Sequence, residues 1–207
     1  MIFDQFIAQQ LGNPSGIIGR WVAAPLWNKR NAALNDVAFE NLALSPHDRV
    51  LEVGFGGGYL LGRMSRVVTD GALAGVDGSQ AMVAFCEKRY RTLLEDGKLA
   101  LKCAQAGCLP YPDRTFTKVC SVNSIFYWHD APAAFSQAWR VLAAGGMLVL
   151  CFTCKESLDG RSFAKQGLAL YQADEVQQMM QSAGFHEIRT IRSSDKHRNF
   201  LCMTGCK

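Results

Sequence analysis

Three short segments combine glycine, acidic and aromatic residues in patterns that suit the binding of a small ligand. In residues 52–58, Gly54, Gly56 and Gly58 permit a tight turn and let a ligand approach backbone N–H groups. In the second segment, the carboxylate of Asp77 suits hydrogen bonds from ribose hydroxyls. The third segment, residues 123–130, holds three aromatic residues and a histidine. Together they predict a nucleoside-type ligand that binds near aromatic side chains.

Strands and helices alternate from residue 46 onward, and they must position these segments. Apolar runs predict strands over 50–53, 72–77, 99–104, 118–124 and 147–152. Helical spacing predicts helices over 59–68, 79–95, 131–142 (closed by Gly145 and Gly146) and 174–183. Residues 186–192 and 200–204 predict a closing hairpin. The pattern predicts an α/β fold with a mostly parallel sheet, and ligands of such sheets bind beyond the carboxyl ends of the strands.

Composition limits the classes of function. The chain has 207 residues, of which 49% are hydrophobic and 19% charged, which predicts one folded unit with a full core. A formal net charge of +4 is too small to indicate dense phosphate contacts, so we expect no nucleic-acid partner. We find no membrane-spanning run and no secretion signal, and we expect a cytoplasmic monomer or homodimer. The eight cysteines are expected to be reduced, with no metal site.

The glycine-rich turn leaves alternatives open. A nicotinamide fingerprint that starts at Gly54 requires glycine at position 59, where Tyr59 stands, and Glu52 would repel a pyrophosphate. The same carboxylate suits the cationic amino group of an amino-acid ligand. A purely structural turn, an Asp77 that only caps a helix, and a Met82 that only packs in the core are the plainer interpretations.

Five blocks in order make the sequence resemble the class I S-adenosylmethionine (SAM)-dependent methyltransferases, specifically the small ubiquinone/menaquinone-biosynthesis-like group. The blocks are VLEVGFGGG, VDGSQAM, LPYPDRTF, RVLAAGGML and AGF, and the resemblance covers about residues 45 to 205. It implies a three-layer Rossmann-like fold with a seven-stranded sheet, SAM as cofactor and S-adenosylhomocysteine as product. Residues 1–44 then form a helical arm or lid, and 45–207 form the SAM-binding domain.

The resemblance also assigns cofactor contacts. The glycine loop lies under the methionine part of SAM, Asp77 holds the ribose, and Gly78 and Met82 flank the adenine. Gln105 stands where the family usually has Asp, and its side-chain carbonyl can accept the same adenine hydrogen bond. The backbone carbonyl of Asn123 matches the position that meets the amino group of SAM. The full predicted set is Glu52, Gly54, Gly56, Gly58, Asp77, Gly78, Met82, Gln105, Ala106 and Asn123.

Catalysis is expected beside the third segment. Methyl transfer from a sulfonium is an in-line displacement that needs alignment and, for some acceptors, a base. His129 is the candidate base and Tyr127 a second catalytic candidate. Phe126, Tyr127 and Trp128 either face the sulfonium and the substrate, or two of the three pack under the following helix.

The acceptor is expected to be small. Only about 18 residues separate the fifth strand from the next helix, so no large substrate domain is inserted there. Substrate contacts are predicted for Trp27, Tyr127 and Trp128, under a lid that contains Trp21, Trp27, Asn28, Arg30 and Asn31. A helix that merely covers the sheet is the alternative to a lid.

The predicted activity is methyl transfer to an oxygen, carbon or nitrogen atom of a small molecule. The alternatives are a nicotinamide-dependent oxidoreductase and a non-catalytic SAM-binding protein. Cys151 and Cys154 are expected on opposite faces of a strand, which argues against a metal pair. The remaining histidines are expected away from the ligand edge, and a basic set predicts a solvated hairpin: Arg189, Arg192, Lys196, His197 and Arg198.

Overall fold

A computed structural model describes residues 31–158 and 168–207. The α-helices are α1 (Ala32–Leu42), α2 (Tyr59–Met64), α3 (Gln80–Arg89), α4 (Arg91–Glu95), α5 (Ala131–Val141), α6 (Lys155–Leu158) and α7 (Ala173–Ser182), with a 3-10 turn at Ile125–Tyr127. The strands are β1 (Arg49–Val53), β2 (Ala72–Asp77), β3 (Leu99–Cys103), β4 (Phe116–Val122), β5 (Leu142–Thr153), β6 (His186–Ser194) and β7 (Asn199–Cys206).

The strands form one seven-stranded sheet in the order β3-β2-β1-β4-β5-β7-β6. Neighbours from β3 to β5 are parallel, whereas β7 pairs antiparallel with both β5 and β6. The predicted α/β fold with an antiparallel closing hairpin is confirmed. The carboxyl ends of β1, β2 and β4 therefore meet at one edge of the sheet.

Two apolar layers fill the space between the sheet and its helices. One layer joins the inner faces of α1, α2 and α3 to the sheet, with Leu34, Leu60 and Met82 among its members. The other joins α5 and α7 to the opposite face, with Phe135 and Met180 fully buried. Alternate residues of β1 enter alternate layers, since Val50 lies in the first and Leu51 in the second. The outcome is a three-layer structure.

Several predicted boundaries are wrong in instructive ways. The predicted helix 79–95 is two helices interrupted at Tyr90, and the helix that begins at Tyr59 ends at Met64 rather than at residue 68. Strand β4 ends at Val122 because Asn123 adopts a left-handed conformation with φ of 57°. The N–H of Asn123 still donates to the carbonyl of Cys151 in β5 (2.7 Å), and the chain turns away from the sheet after it.

Strand β5 begins much earlier than predicted. Leu142 follows α5 directly and pairs with Phe116, across an irregularity in the register between Phe116 and Lys118. Gly145 and Gly146 therefore lie within the strand and do not close the helix. Tertiary pairing with β4 overrides the local signal of two glycines.

Helix α1 covers the sheet. Leu34, Ala38 and Leu42 are fully buried against it, and Asn41 donates its side-chain amide to the carbonyl of Val37. Of the predicted arm, only residues 31–44 are within the described ranges, so the boundary at residue 44 stays a prediction. Within 31–158 and 168–207, no helix is long and apolar enough to cross a membrane.

Candidate functional site

The glycine loop at the end of β1 is fixed by hydrogen bonds from both sides. The N–H of Gly54 donates to the carbonyl of Val76 (2.7 Å), and that of Gly58 donates to Phe55 (2.8 Å). Gly54, Gly56 and Gly58 have φ values of 76°, 50° and 71°, a region that costs other residues energy. A Cβ on Gly56 would meet nothing within 4 Å, so the loop is open at that point. The glycines serve both the turn and a free approach to the backbone.

Asp77 organises the loop after β1 and the start of α3. One carboxylate oxygen accepts the N–H of Gly56 (2.8 Å) and the other accepts the N–H of Ser79 (2.9 Å). Burial raises the pKa of Asp77 from its ordinary value, while these two backbone bonds lower it. The carboxylate keeps lone pairs for further donors. Asp77 is therefore both a structural acceptor and a candidate for ribose hydroxyls.

Glu52 is a buried acid below the same loop. Its side chain is 3% exposed, and one of its oxygens has no hydrogen-bond partner within the described ranges. Burial, followed by the nearby charge of Asp77, raises the pKa of Glu52 to about 8, against a smaller lowering by the N–H of Leu61. An orphaned buried acid fits a ligand that brings a cation, such as the amino group of an amino acid.

The residues assigned to the adenine come together beyond β2 and β3. A Cβ on Gly78 would lie 3.2 Å from the side-chain nitrogen of Gln105, so these two residues are adjacent. Both are exposed, whereas Ala106 is buried. Met82 is 1% exposed and belongs to the core layer under α3, as its plainer interpretation expects.

Beyond β4, Ser124 ties the third segment to the glycine loop. Its hydroxyl pairs with Ser121 (2.6 Å), donates to the carbonyl of Val53 (3.2 Å) and accepts the indole N–H of Trp128 (3.1 Å). A Cβ on Gly54 would lie 2.5 Å from the Cβ of Ser124. Glycine at position 54 is thus required by a neighbour 70 residues away as well as by its φ.

The aromatic segment splits into packing and exposed residues. Phe126 is 6% exposed in the core, and Trp128 packs edge-on against Phe135 with 5.5 Å between ring centroids. Tyr127 is 38% exposed, yet burial of its hydroxyl raises the pKa of Tyr127 to about 12. His129 is exposed beside it, before Asp130 caps α5. Two of the three aromatics therefore pack, whereas Tyr127 and His129 are partly accessible at the surface.

A polar network occupies the far part of the edge. The side-chain oxygen of Asn123 accepts bonds from the Thr153 N–H (3.1 Å) and hydroxyl (2.9 Å). The guanidinium of Arg198 donates to Thr153 (3.2 Å) and to Asn31 (2.8 Å), and it pairs with Asp195 at 3.6 Å. The expectation of a solvated hairpin is wrong for Arg198, whose side chain is 13% exposed. The pairing of β5 with β7 brings the hairpin turn to the edge.

Asn31 is the member of the predicted lid within the described ranges, and it meets Asn123 as well, at 3.3 Å. Trp27 and the other predicted lid residues lie outside the described residues: Trp21, Asn28 and Arg30. The sequence did not single out Ser124 and Thr153, because each acts through a contact with a segment distant in the chain. No local pattern marks them.

Most of the cysteines are core residues. All eight are free, and five are buried. Cys151 and Cys154 enter opposite layers of the core, as expected from their odd spacing. Among the described residues, no group of three His, Cys, Asp or Glu side chains is placed to hold a metal ion.

The strand order and the three layers define a Rossmann-like α/β protein, a fold whose ligands bind beyond the carboxyl ends of the strands. Residues 51–150 match the family model of the methyltransferase domain. The chain is 28% identical over 193 residues to an uncharacterised methyltransferase of Bacillus subtilis, YdaC, covering 90% of this chain and 98% of YdaC. It is 32% identical over 174 residues to the wheat (Triticum aestivum) phosphoethanolamine N-methyltransferase, covering 77% of this chain and 32% of that enzyme.

A SAM-dependent methyltransferase of Aquifex aeolicus has the same fold, with a TM-score of 0.69, 19% identity and 98% of each chain covered. The protein belongs to the class I SAM-dependent methyltransferases. Its cofactor is SAM, and it is an enzyme. The ubiquinone/menaquinone-like subgroup stays a prediction, and the comparisons do not support a nicotinamide-dependent oxidoreductase or a non-catalytic binder.

Proposed function

We propose that this enzyme transfers the methyl group of SAM to a small-molecule acceptor that binds over Tyr127 and His129. The observation that carries the proposal is the pair of exposed residues Tyr127 and His129 in the segment after β4, which Ser124 ties to the glycine loop. SAM supplies an activated methyl group and a good leaving group. The similarity to the wheat enzyme, which is named for a small phosphorylated amine, supports an acceptor of modest size.

The cofactor is proposed to lie along the edge from Glu52 to Gln105. The glycine loop and Glu52 would receive the methionine part, with the carboxyl of Glu52 and the carbonyl of Asn123 near the amino group. Asp77 would accept the ribose hydroxyls, and the adenine would lie by Gly78, Gln105 and Ala106, while Met82 stays in the core layer. A cation beside Glu52 would stabilise its ionised form and relieve the cost of burying an unpaired acid.

His129 is proposed as the base that removes a proton from the acceptor. Its exposed position next to Tyr127 suits contact with an incoming hydroxyl or amine. Tyr127 has a pKa of about 12, so it stays protonated near neutral pH and acts as a hydrogen-bond donor rather than as a base. Trp27 and Trp128 are proposed to bound the acceptor.

An acceptor panel tests the proposal. The purified protein is incubated with methyl-labelled SAM and with phenols, quinols, amines that include phosphoethanolamine, carboxylic acids and thiols. We expect label in one class of small molecule. Label that enters only a protein or RNA fraction would refute a small acceptor.

A matched pair of histidine variants tests the base. With the acceptor found, His129→Asn should lower kcat by about 100-fold or more while the Kd for S-adenosylhomocysteine stays the same. His47→Asn is the control, because His47 is exposed before β1 and pairs with Asp70 (3.8 Å). Equal kcat values in the two variants would remove His129 from the mechanism.

A further inference from the structure

Three side chains at the end of α3 hold three consecutive carbonyls of the glycine loop. The thiol of Cys86 donates to Gly56 (S···O 3.4 Å), the guanidinium of Arg89 donates to Gly57 (3.3 Å), and the hydroxyl of Tyr90 donates to Gly58 (2.6 Å). The donors lie 30 to 32 residues from their acceptors. We call Cys86, Arg89 and Tyr90 the loop clamp.

The packing around Tyr90 shows that the clamp is built into the fold. A Cβ on Gly58 would lie 2.8 Å from the Tyr90 ring, and a Cβ on Gly62 would lie 2.5 Å from its hydroxyl. Both glycines therefore leave room for the same tyrosine. The interruption between α3 and α4 falls at Tyr90 itself, which caps both helices. The loop, α2 and α3 are thus fitted to one side chain.

The clamp residues are donors at neutral pH. Burial, followed by the charge of Glu52, raises the pKa of Cys86 to about 12, and burial raises the pKa of Tyr90 from its ordinary value. Arg89 stays charged in proteins, and its guanidinium lies 5.4 Å from the Tyr90 ring centroid. All three groups thus keep their protons for the loop carbonyls.

The loop needs such support because it is rich in glycine. Four of the five residues in 54–58 are glycine, and a glycine backbone loses more conformational freedom on ordering than any other. A loop that is already ordered spares a ligand that cost, which raises affinity without any new contact. The opposite side is held by Asp77, which accepts the N–H of Gly56.

We propose that Tyr90, together with Cys86 and Arg89, positions SAM. These residues hold the carbonyls of the glycine loop, so that the loop is ordered before the cofactor binds. The inference rests on the proposed placement of SAM at the glycine loop and does not depend on the identity of the acceptor. It predicts that the residues at the end of α3 contribute to the affinity for the cofactor.

Tyr90→Phe tests this role, since it keeps the ring and removes the bond to Gly58. We expect the Kd for S-adenosylhomocysteine, measured by isothermal titration, to rise about three- to tenfold. Hydrogen exchange of the peptide that contains residues 54–61 should be faster than in the wild type without ligand, and equal to it when the ligand saturates the site. A merely structural role would not produce this ligand-dependent recovery.

Tyr111→Phe is the matched control. Its hydroxyl is buried with no hydrogen-bond partner within the described ranges, and its ring packs on Phe116 away from the glycine loop. We expect its Kd to stay within about twofold of the wild type. If Tyr90→Phe binds as tightly as this control, or exchanges no faster in the loop, the proposal is overturned.

Arg89→Met provides a second variant in case Tyr90→Phe does not fold. Arg89 is exposed, so its removal should leave the folded state intact. We expect the Kd to rise about threefold, because one long hydrogen bond from a charged donor is lost. An unchanged Kd together with unchanged exchange in residues 54–61 would refute the clamp.

Discussion

The two halves of the ligand edge are built by different means. After β1 and β2, the edge consists of backbone: glycines with positive φ, carbonyls and N–H groups, with Asp77 bonded to Gly56 and Ser79. After β4 and β5, it consists of side chains: Asn123, Thr153, Arg198 and Asn31 bond to one another. In the proposed arrangement, the first half and the backbone carbonyl of Asn123 offer a fixed surface to the cofactor. The side chains of the second half can change with the acceptor.

The difference teaches how one fold serves many substrates. At glycines with positive φ, almost any substitution disturbs the backbone conformation that forms the surface. A network of side chains depends instead on the identity of the residues that form it. The two halves meet at Ser124, whose hydroxyl reaches Val53 and Trp128. Changes on the cofactor side should therefore cost more than changes on the acceptor side.

The largest effect is expected for Gly54→Ala. The new Cβ would lie 2.5 Å from Ser124 in a left-handed backbone, so strain and overpacking together should lower the free energy of unfolding by about 4 kcal/mol. Urea unfolding measures this. In Gly56→Ala, where the Cβ meets nothing, the loss should be about 1 to 2 kcal/mol. Equal losses in the two variants would contradict the contact with Ser124.

The second effect concerns pH. Because the pKa of Glu52 is about 8 in the folded protein and 4.5 for the ordinary group, the unfolded chain binds fewer protons between these values. The free energy of unfolding should therefore fall by a few kcal/mol as pH rises from about 4.5 to about 8, and then level off. Asp77, whose pKa is also raised, adds to the same slope. Urea unfolding across this range should give a flatter profile for Glu52→Gln, and an identical profile would contradict the burial argument.

Asp77→Asn should weaken the cofactor half without unfolding it. The loss of charge removes charge-assisted bonds to Gly56 and Ser79 and those proposed to the ribose, so the Kd for S-adenosylhomocysteine should rise about tenfold or more. Asp113→Asn, at a carboxylate paired with Arg140 near the surface, should bind like the wild type. Similar Kd values in both variants would mean that Asp77 is misassigned.

The smallest effect is expected on the acceptor side. Asn31→Ala removes the oxygen that accepts one bond from Arg198 and a longer one from Asn123, and it should lower the free energy of unfolding by about 1 kcal/mol. Its Kd for S-adenosylhomocysteine should stay within about twofold of the wild type. A rise as large as that of Asp77→Asn would show that the two halves are not independent.

Much of the first half was predictable from the sequence. The glycines at 54, 56 and 58 and the acid at 77 are local signals. Glycine permits a positive φ whatever surrounds it, and aspartate supplies a carboxylate. The end of β4 was harder to predict from the sequence. A left-handed Asn123 and a strand that begins at Leu142 result from pairing between β4 and β5, which local propensity does not report.

By itself, the sequence determined the alternation of strands and helices, the edge at which a ligand is expected, and the glycine loop, because these depend on periodicity and on glycine placed in a short segment. Only the tertiary structure decided that Tyr90 meets Gly58 and that Arg198 reaches Asn31, 167 residues away. Such contacts arise from the order of strands in the sheet and from helix packing, and a linear pattern of residue types does not encode them at any fixed spacing.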